Sequence, residues 1–367
     1  MDESVNLAAR VVWGAFGLAL VLGYVAARTN FCTMGAISDV VNMGHWGRMR
    51  MWLLAIAVAM AGANLLHYFD LIDLTKSVYQ RPVLPWLSML LGGTLFGIGM
   101  TIAGGCANKN LLRLGGGSVR SLVVLVFLAI SAYMTLKGLF GQWRSSYLDP
   151  VAFDLAGLGM QGQGLPELLA RLTGVPARPA LLATTGVVVI ALLIFVFKDK
   201  DFRTNGEQLV GGTILGLLVT AAWYLTGHIG FAENPDTLEM TYFGTNSRTI
   251  ESLTFVAPTA YSLELLMLWT DKSLRVTFGI ATIGGVVLGS LIHAVTSRQF
   301  LWEGFASLED LSNHLVGGIL MGFGGVLAMG CTIGQGLSGV STLALGSFIS
   351  MAGIVAGSVA TMKWQER

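Results

Sequence analysis

Long apolar stretches separated by short polar stretches are the dominant pattern of this chain. Eight segments contain no Asp, Glu, Lys or Arg: 11–27, 51–66, 82–108, 121–136, 179–197, 208–232, 276–297 and 315–362. One bilayer crossing takes about 20 apolar residues, so the last segment has room for two spans, or for one span and broken pieces. Helices of soluble proteins carry a polar stripe that these segments lack. The pattern predicts an all-α polytopic membrane protein.

An internal repeat divides the chain into two halves. Segments 92–106 and 317–331 share the pattern Gly-Gly-x3-Gly-x-Gly-x3-Ala-x-Gly-Cys at a constant offset of 225. A weaker match at an offset of 224 aligns 31–38 with 255–262 and puts Val256 in the place of Cys32. We therefore expect one membrane domain, 1–367, with repeat unit one at 11–140, a connector at 141–206 and repeat unit two at 207–362.

The number of spans predicts how the two units are arranged. The pattern gives about nine spans, four in each unit and one in the connector, whereas 30–43 and 252–270 are partial helices, too short or too polar to cross. An odd number of spans between equivalent helices places the units in opposite orientations. This arrangement of two pseudo-symmetric inverted repeats is common in transporters, where the binding site lies near the midplane.

The distribution of charge predicts an orientation in the membrane. Charged residues make up only 12% of the chain and the net charge is +1, so nothing indicates a nucleic-acid partner. Cations concentrate in short loops on one side, whereas the loops 140–178 and 227–251 on the other side are longer. The positive-inside rule then predicts a cytoplasmic C-terminus and an N-terminus outside. We expect 11–27 to be the first span, not a cleaved signal peptide.

Three cysteines are the candidate functional residues. Cys106 and Cys331 follow equivalent glycine-rich helices and precede polar or small residues, which indicates that each helix stops and a new one begins. Cys32 lies on a partial helix. Four interpretations compete: small residues for helix packing, a soft-metal site, a redox enzyme, or a path for a solute that suits weak S–H donors and polarizable sulfur. We favour a sulfur-containing anion moving along three thiols, with no metal, no cofactor and no catalysis.

Other residues near the helix breaks are candidates to support this path. Arg28 and Lys109 would favour an anion, although each is also typical of an interfacial cation whose charge reaches the lipid headgroups. Asp39 lies on the partial helix of Cys32, and two interpretations stay open: it pairs with Arg48 or Arg50, or it is an interfacial acid. The remaining candidates flank Cys106 and Cys331 in sequence: Gly105, Asn108, Gly330, Thr332 and Gln335.

The chain resembles the YeeE/YedE family of sulfur-transport membrane proteins. Three stretches carry the resemblance: Arg28-x-x-Phe31-Cys32-x-x-Gly35-Ala36-x-x-Asp39, Gly105-Cys106 with Lys109 and Leu111-Leu112-Arg113, and Gly330-Cys331-Thr332-x-Gly334-Gln335-Gly336-Leu337-Ser338-Gly339. The last is the most specific. The segment after Cys106 departs from the form seen around Cys331.

The resemblance implies an inner-membrane permease that imports thiosulfate or a related sulfur compound. It implies an hourglass of inverted repeats in which Cys32, Cys106 and Cys331 pass the substrate along by S–H hydrogen bonding. It also implies, for some members, a cytoplasmic partner of the TusA type, a small sulfur carrier or sulfurtransferase; no such domain is expected within this sequence. A permease for another soft solute, such as a selenium compound or a metal, and a membrane scaffold for a cytoplasmic sulfurtransferase are the alternatives.

Overall fold

Helices dominate the structure, a computed structural model that describes residues 2–235 and 237–366. In chain order the helices are α1 (Asp2–Arg28), α2 (Thr33–Met43), α3 (Gly47–Tyr68), α4 (Trp86–Ile102), α5 (Ala107–Gly115), α6 (Val119–Lys137), α7 (Leu139–Trp143), α8 (Leu165–Thr173), α9 (Ala177–Phe197), α10 (Lys200–Thr204), α11 (Gly206–Tyr224), α12 (Val256–Met267), α13 (Phe278–Thr296), α14 (Leu308–Leu327) and α15 (Leu345–Gln365). Short strands form two antiparallel pairs: β1 (Val83–Leu84) with β2 (Phe153–Asp154), and β3 (Phe231–Glu233) with β4 (Met240–Tyr242).

The prediction of an all-α polytopic membrane protein is confirmed. Eight helical segments in the described part of the chain are long and apolar enough to cross a bilayer. A further helix, α14, has 20 residues and begins with two acidic residues, Glu309 and Asp310. The partial helices predicted at 30–43 and 252–270 correspond to α2 and α12, which have only 11 and 12 residues.

The centre of the bundle is the crossing of α4 and α14, which carry the repeated glycine motif. A Cβ atom on Gly99 would lie 2.7 Å from the Gly317 carbonyl oxygen, and one on Gly317 would lie 2.7 Å from the Gly99 carbonyl oxygen. Gly92 and Gly324 make the same reciprocal approach at the other end of the crossing, so the two helices run antiparallel. Only glycine permits backbones to approach this closely.

The long helices pack in pairs that follow the repeat. α4 packs against α15 and α14 packs against α6; likewise α3 packs against α11 and α13 packs against α1. The first two pairs are equivalent when α4 is matched with α14 and α6 with α15. The last two pairs are equivalent when α1 is matched with α11 and α3 with α13. The connector helix α9 packs mainly against α3 and α8. These are the contacts expected of two units related by a two-fold axis; the inverted arrangement in the bilayer stays a prediction.

Equivalent helices in the two units also end in the same way. Gly104 (φ 66°) follows α4 and Met329 (φ 57°) follows α14, at the offset of 225 that relates the motifs. Asp70 and Arg298, just after α3 and α13, also adopt left-handed backbone conformations. A left-handed residue ends a helix by turning the chain out of its axis. For Met329 this conformation is unfavourable, so the surrounding packing must stabilise it.

The packing of α4 against α15 generates a prediction about stability. A Cβ atom on Gly97 would overlap the Ile354 carbonyl oxygen and lie 2.9 Å from the Ser358 nitrogen. Because backbone atoms cannot move aside as side chains do, Gly97→Leu should lower the free energy of unfolding by about 1–3 kcal/mol or more. The measurement is the temperature at which the detergent-purified protein loses its monodisperse peak in size-exclusion chromatography.

Gly186→Leu is the matched control for this substitution. Gly186 lies in the peripheral helix α9, and a Cβ atom there would meet nothing within 4 Å. This variant should lose its monodisperse peak close to the wild-type temperature. Equal losses in both variants would mean that close backbone contact between α4 and α15 does not limit stability.

Candidate functional site

Cys331 lies at the break between α14 and the rest of the second unit. It is fully buried, and its sulfur accepts a hydrogen bond from the Gly334 backbone nitrogen at 3.4 Å, so it caps a new helical segment. That segment contains a π-helical turn, Gly334–Gly339. π-turns widen the backbone and are frequent at functional sites. Cys331 thus lies where the chain changes from one helix to another.

Polar side chains donate hydrogen bonds to an unpaired backbone carbonyl at this break. The end of α14 leaves the Ala328 carbonyl without a helical partner, and both the Gln335 amide nitrogen and the Ser350 hydroxyl donate to it, the latter at 3.2 Å. Gly330 allows Gln335 to fold back, because a Cβ atom there would lie 3.2 Å from its side chain. Gln335 is therefore placed as a structural residue of the break, although its Oε1 has no hydrogen-bond partner among the described residues.

Cys106 occupies the equivalent break between α4 and α5. It is 1% exposed and immediately precedes α5, whose residue Asn110 donates from its side-chain amide to the carbonyls of Gly105 (2.9 Å) and Cys106 (3.1 Å). Asn108 is also buried, and its Oδ1 has no hydrogen-bond partner in the part of the chain that the structure describes. Gly105 leaves room for the stem of Lys109, which would lie 3.0 Å from a Cβ atom there.

Cys32 begins the partial helix α2. Its sulfur accepts a hydrogen bond from the Gly35 backbone nitrogen at 3.4 Å, the same three-residue spacing seen at Cys331. Two hydrogen bonds from the Arg48 guanidinium to the Asp39 carboxylate hold α2 against the start of α3. The predicted Asp39–Arg48 pair is thus present, whereas Arg50 pairs with Asp199.

The structure brings the three thiols toward one another. The Cys106 thiol lies within electrostatic interaction range of both Cys32 and Cys331. The buried Thr332 hydroxyl faces the Cys106 thiol and interacts with it. Lys109 interacts with both Cys32 and Cys106 and places its ammonium group 3.4 Å from the Asn30 side-chain oxygen. The Cys106 thiol therefore lies near both of the other thiols.

A cavity of about 420 Å³ lies beside Cys331 and is here named the vestibule. Its lining includes Thr254, Val256 and Gly330, and the Thr254 side chain also faces the Cys331 thiol. Segments around β1, in the connector and in the loop before α12 form other parts of its walls, together with residues of α6, α12, α13 and α14. Cys331 consequently lies directly behind one wall of the vestibule.

Both signs of charge line the vestibule. Arg144 forms an ion pair with Asp149 at 3.1 Å, whereas Arg81 is exposed and makes no ion pair within the described residues. Glu251 accepts a hydrogen bond from the Ser247 backbone nitrogen at 2.8 Å. Burial raises the pKa of the Glu251 carboxyl despite this bond, and the phenol groups of Tyr79 and Tyr261 lie within its electrostatic range.

Most of the candidate residues predicted from the sequence lie at the two breaks, but Arg28 does not. Its exposed guanidinium pairs with Glu207 at 3.2 Å, at the start of α11. Within the described residues no group of three or more His, Cys, Asp and Glu side chains is arranged to hold a metal ion.

Sequence reasoning missed two residues of the breaks and the whole vestibule. Asn110 follows Cys106 by four residues, a spacing that brings a side chain back to the preceding helical turn, so the sequence held a signal for its role. Ser350 offered none, because it lies 22 residues from the carbonyl that it satisfies. The vestibule is built from loops and helices that are distant in sequence and could be found only in three dimensions.

Comparison with known proteins identifies the family. The sequence profile of the family described as Sulphur transport matches residues 28–360. The chain is 27% identical over 356 residues to the thiosulfate transporter TsuA of Escherichia coli (strain K12), covering 94% of this chain and 91% of that protein. It is 26% identical over 357 residues to the thiosulfate transporter TsuA of Spirochaeta thermophila, covering 96% and 98%. This multi-pass membrane protein therefore belongs to the Sulphur transport family.

Proposed function

We propose that the chain is a permease that imports thiosulfate, or a related sulfur-containing anion, across the bacterial inner membrane. The relatives named as thiosulfate transporters support the substrate class and a role in transport rather than catalysis. The observation that carries the proposal is the placement of three buried thiols at three helix starts, with Cys331 behind the vestibule and Cys106 near both of the other thiols.

The chemistry of the helix breaks suits an anion that contains sulfur. A neutral thiol is a weak hydrogen-bond donor with a large polarizable sulfur, so it binds such an anion weakly enough to release it to the next thiol. The first backbone N–H groups of a helix add a partial positive charge, and Cys106 lies at the start of α5. The substrate would pass from Cys331 to Cys106 and Cys32 by exchange of hydrogen bonds, with no covalent step.

The charges support import from the vestibule side. Lys109 lies beside Cys106 and Cys32, at the end of the path away from the vestibule, where it would attract an arriving anion. Arg48, Arg50, Arg113 and Arg120 lie beyond it, at the helix ends that flank the short loops on that side. By the positive-inside rule we expect these helix ends to face the cytoplasm, with the vestibule and the N-terminus outside and the C-terminus inside.

Replacing each cysteine by alanine tests the thiol path. Loss of one hydrogen bond to a charged group costs about 1.5–3 kcal/mol, so Cys106→Ala and Cys331→Ala should each slow uptake of ³⁵S-thiosulfate about tenfold or more. Cys→Ser variants should keep more uptake, because they retain a donor. The measurement is the initial rate in liposomes containing only the purified protein.

Val256→Ala is the matched control, because Val256 occupies the place of Cys32 in the second unit and offers no donor. It should transport at close to the wild-type rate. Wild-type rates in all three alanine variants would contradict the thiol path. Absence of uptake by the wild-type protein would instead favour a scaffold for a cytoplasmic sulfurtransferase. If selenium compounds or metal ions compete with thiosulfate uptake more strongly than other sulfur anions do, the substrate would be another soft solute.

Glu251 predicts how uptake depends on pH. Its raised pKa means that the carboxyl binds a proton at a higher pH than an ordinary glutamate, whose pKa is about 4.3. Lowering the pH through this raised pKa removes a negative charge from the vestibule and so reduces repulsion of an entering anion. Thiosulfate uptake should therefore increase as the external pH is lowered from about 8 toward the ordinary glutamate pKa.

Glu251→Gln should give high uptake at all of these pH values, because the amide oxygen still accepts from Ser247 but carries no charge. Glu239→Gln, an exposed acid in the same long loop that does not line the vestibule, should keep the wild-type pH profile. An identical pH profile in wild type and Glu251→Gln would show that this carboxyl does not control entry.

A further inference from the structure

A second cavity, of about 430 Å³, adjoins the vestibule and is here named the outer pocket. Its walls come from the loop before α12, the end of α12 and the loop and first turn of α13. Asn246 and Tyr261 line both the outer pocket and the vestibule, so the two cavities share a wall. A ligand in the outer pocket would therefore be held beside the vestibule.

Cations dominate the charge of the outer pocket. Arg248, Lys272 and Arg275 line it, all three are exposed, and none forms an ion pair among the residues that the structure describes. The one acidic residue in its lining is Glu264, which already accepts hydrogen bonds from the Lys137 ammonium (2.7 Å) and the Tyr133 hydroxyl (3.0 Å). The pocket thus presents three cations that the Glu264 carboxylate, already paired with Lys137, does not neutralise.

Two further observations indicate that the pocket is built to hold a polar ligand. Thr277 is part of its lining, and the Thr277 hydroxyl oxygen is buried within the wall and has no hydrogen-bond partner in the described part of the chain. A buried polar group without a partner costs free energy that a ligand would recover. Arg248 adopts a left-handed backbone conformation (φ 54°), which is unfavourable for a residue with a side chain and is concentrated at functional sites.

We propose that the outer pocket is a second anion-binding site, in which the three cations and the Thr277 hydroxyl hold a small sulfur oxyanion before it enters the vestibule. This inference rests on the proposed function for the identity of the anion. Exposed cations attract anions over roughly a Debye length, about 10 Å at 0.1 M salt. The site raises the local substrate concentration at the start of the path.

Direct binding tests the site independently of transport. Equilibrium dialysis of the purified full-length protein against ³⁵S-thiosulfate should show binding that the triple variant Arg248→Gln, Lys272→Gln, Arg275→Gln weakens by about fivefold or more, the combined effect of three screened charge contacts. Lys76→Gln, which removes an exposed cation that lines neither cavity, should bind as the wild type does. Equal binding by the triple variant and the wild type, or no binding by the wild type, would overturn the inference.

Uptake kinetics separate this site from the thiol path. The triple variant should raise the KM for thiosulfate about fivefold while the maximal rate stays close to wild type, and high salt should remove the difference by screening. A lower maximal rate with an unchanged KM would contradict an anion-capture role. Binding that depends on the three cations in a protein that does not transport thiosulfate would support the pocket and contradict the proposed function.

Discussion

The structure depends on satisfying backbone hydrogen bonds where two helices stop inside the bundle. Lipid offers no hydrogen bonds, so non-helical backbone at membrane depth must find its partners within the protein. Here the partners are side chains. Asn110 donates hydrogen bonds to two backbone carbonyls at the Cys106 break, and Gln335 and Ser350 donate to the Ala328 carbonyl at the Cys331 break. Buried carboxamides and hydroxyls thus stabilise the points at which thiols face the interior.

Close glycine packing sets the distance between the two breaks. The motifs on α4 and α14 contact each other reciprocally, so their ends, and the cysteines that follow, are fixed by one crossing. This explains why each motif combines glycines with a terminal cysteine. The two units differ at the starts of their partial helices. Cys32 caps α2 and provides a third thiol near Cys106, whereas Val256 is the first residue of α12 and provides an aliphatic side chain in the vestibule wall.

Local patterns in the sequence were enough to predict the helical class, the partial helices and the helix breaks at Cys106 and Cys331. Each depends on local pattern: uncharged length, glycine spacing and a polar residue after cysteine. The positions of Arg28 and of the vestibule depend instead on contacts between distant segments. Arg28 precedes Cys32 by four residues, but it lies at the end of α1 and turns to Glu207 on α11. The outer pocket likewise required the folded loops around Arg248 and Lys272.

The central claim is that a sulfur-containing anion is bound by the row of thiols between the vestibule and Lys109. The most direct measurement is anomalous scattering from crystals soaked with selenosulfate, in which selenium replaces the terminal sulfur of thiosulfate. We predict a selenium peak in contact with the Cys331 or Cys106 thiol, and its loss when that cysteine is replaced by alanine. Selenium peaks confined to the protein surface, with none near any of the three thiols, would contradict the account.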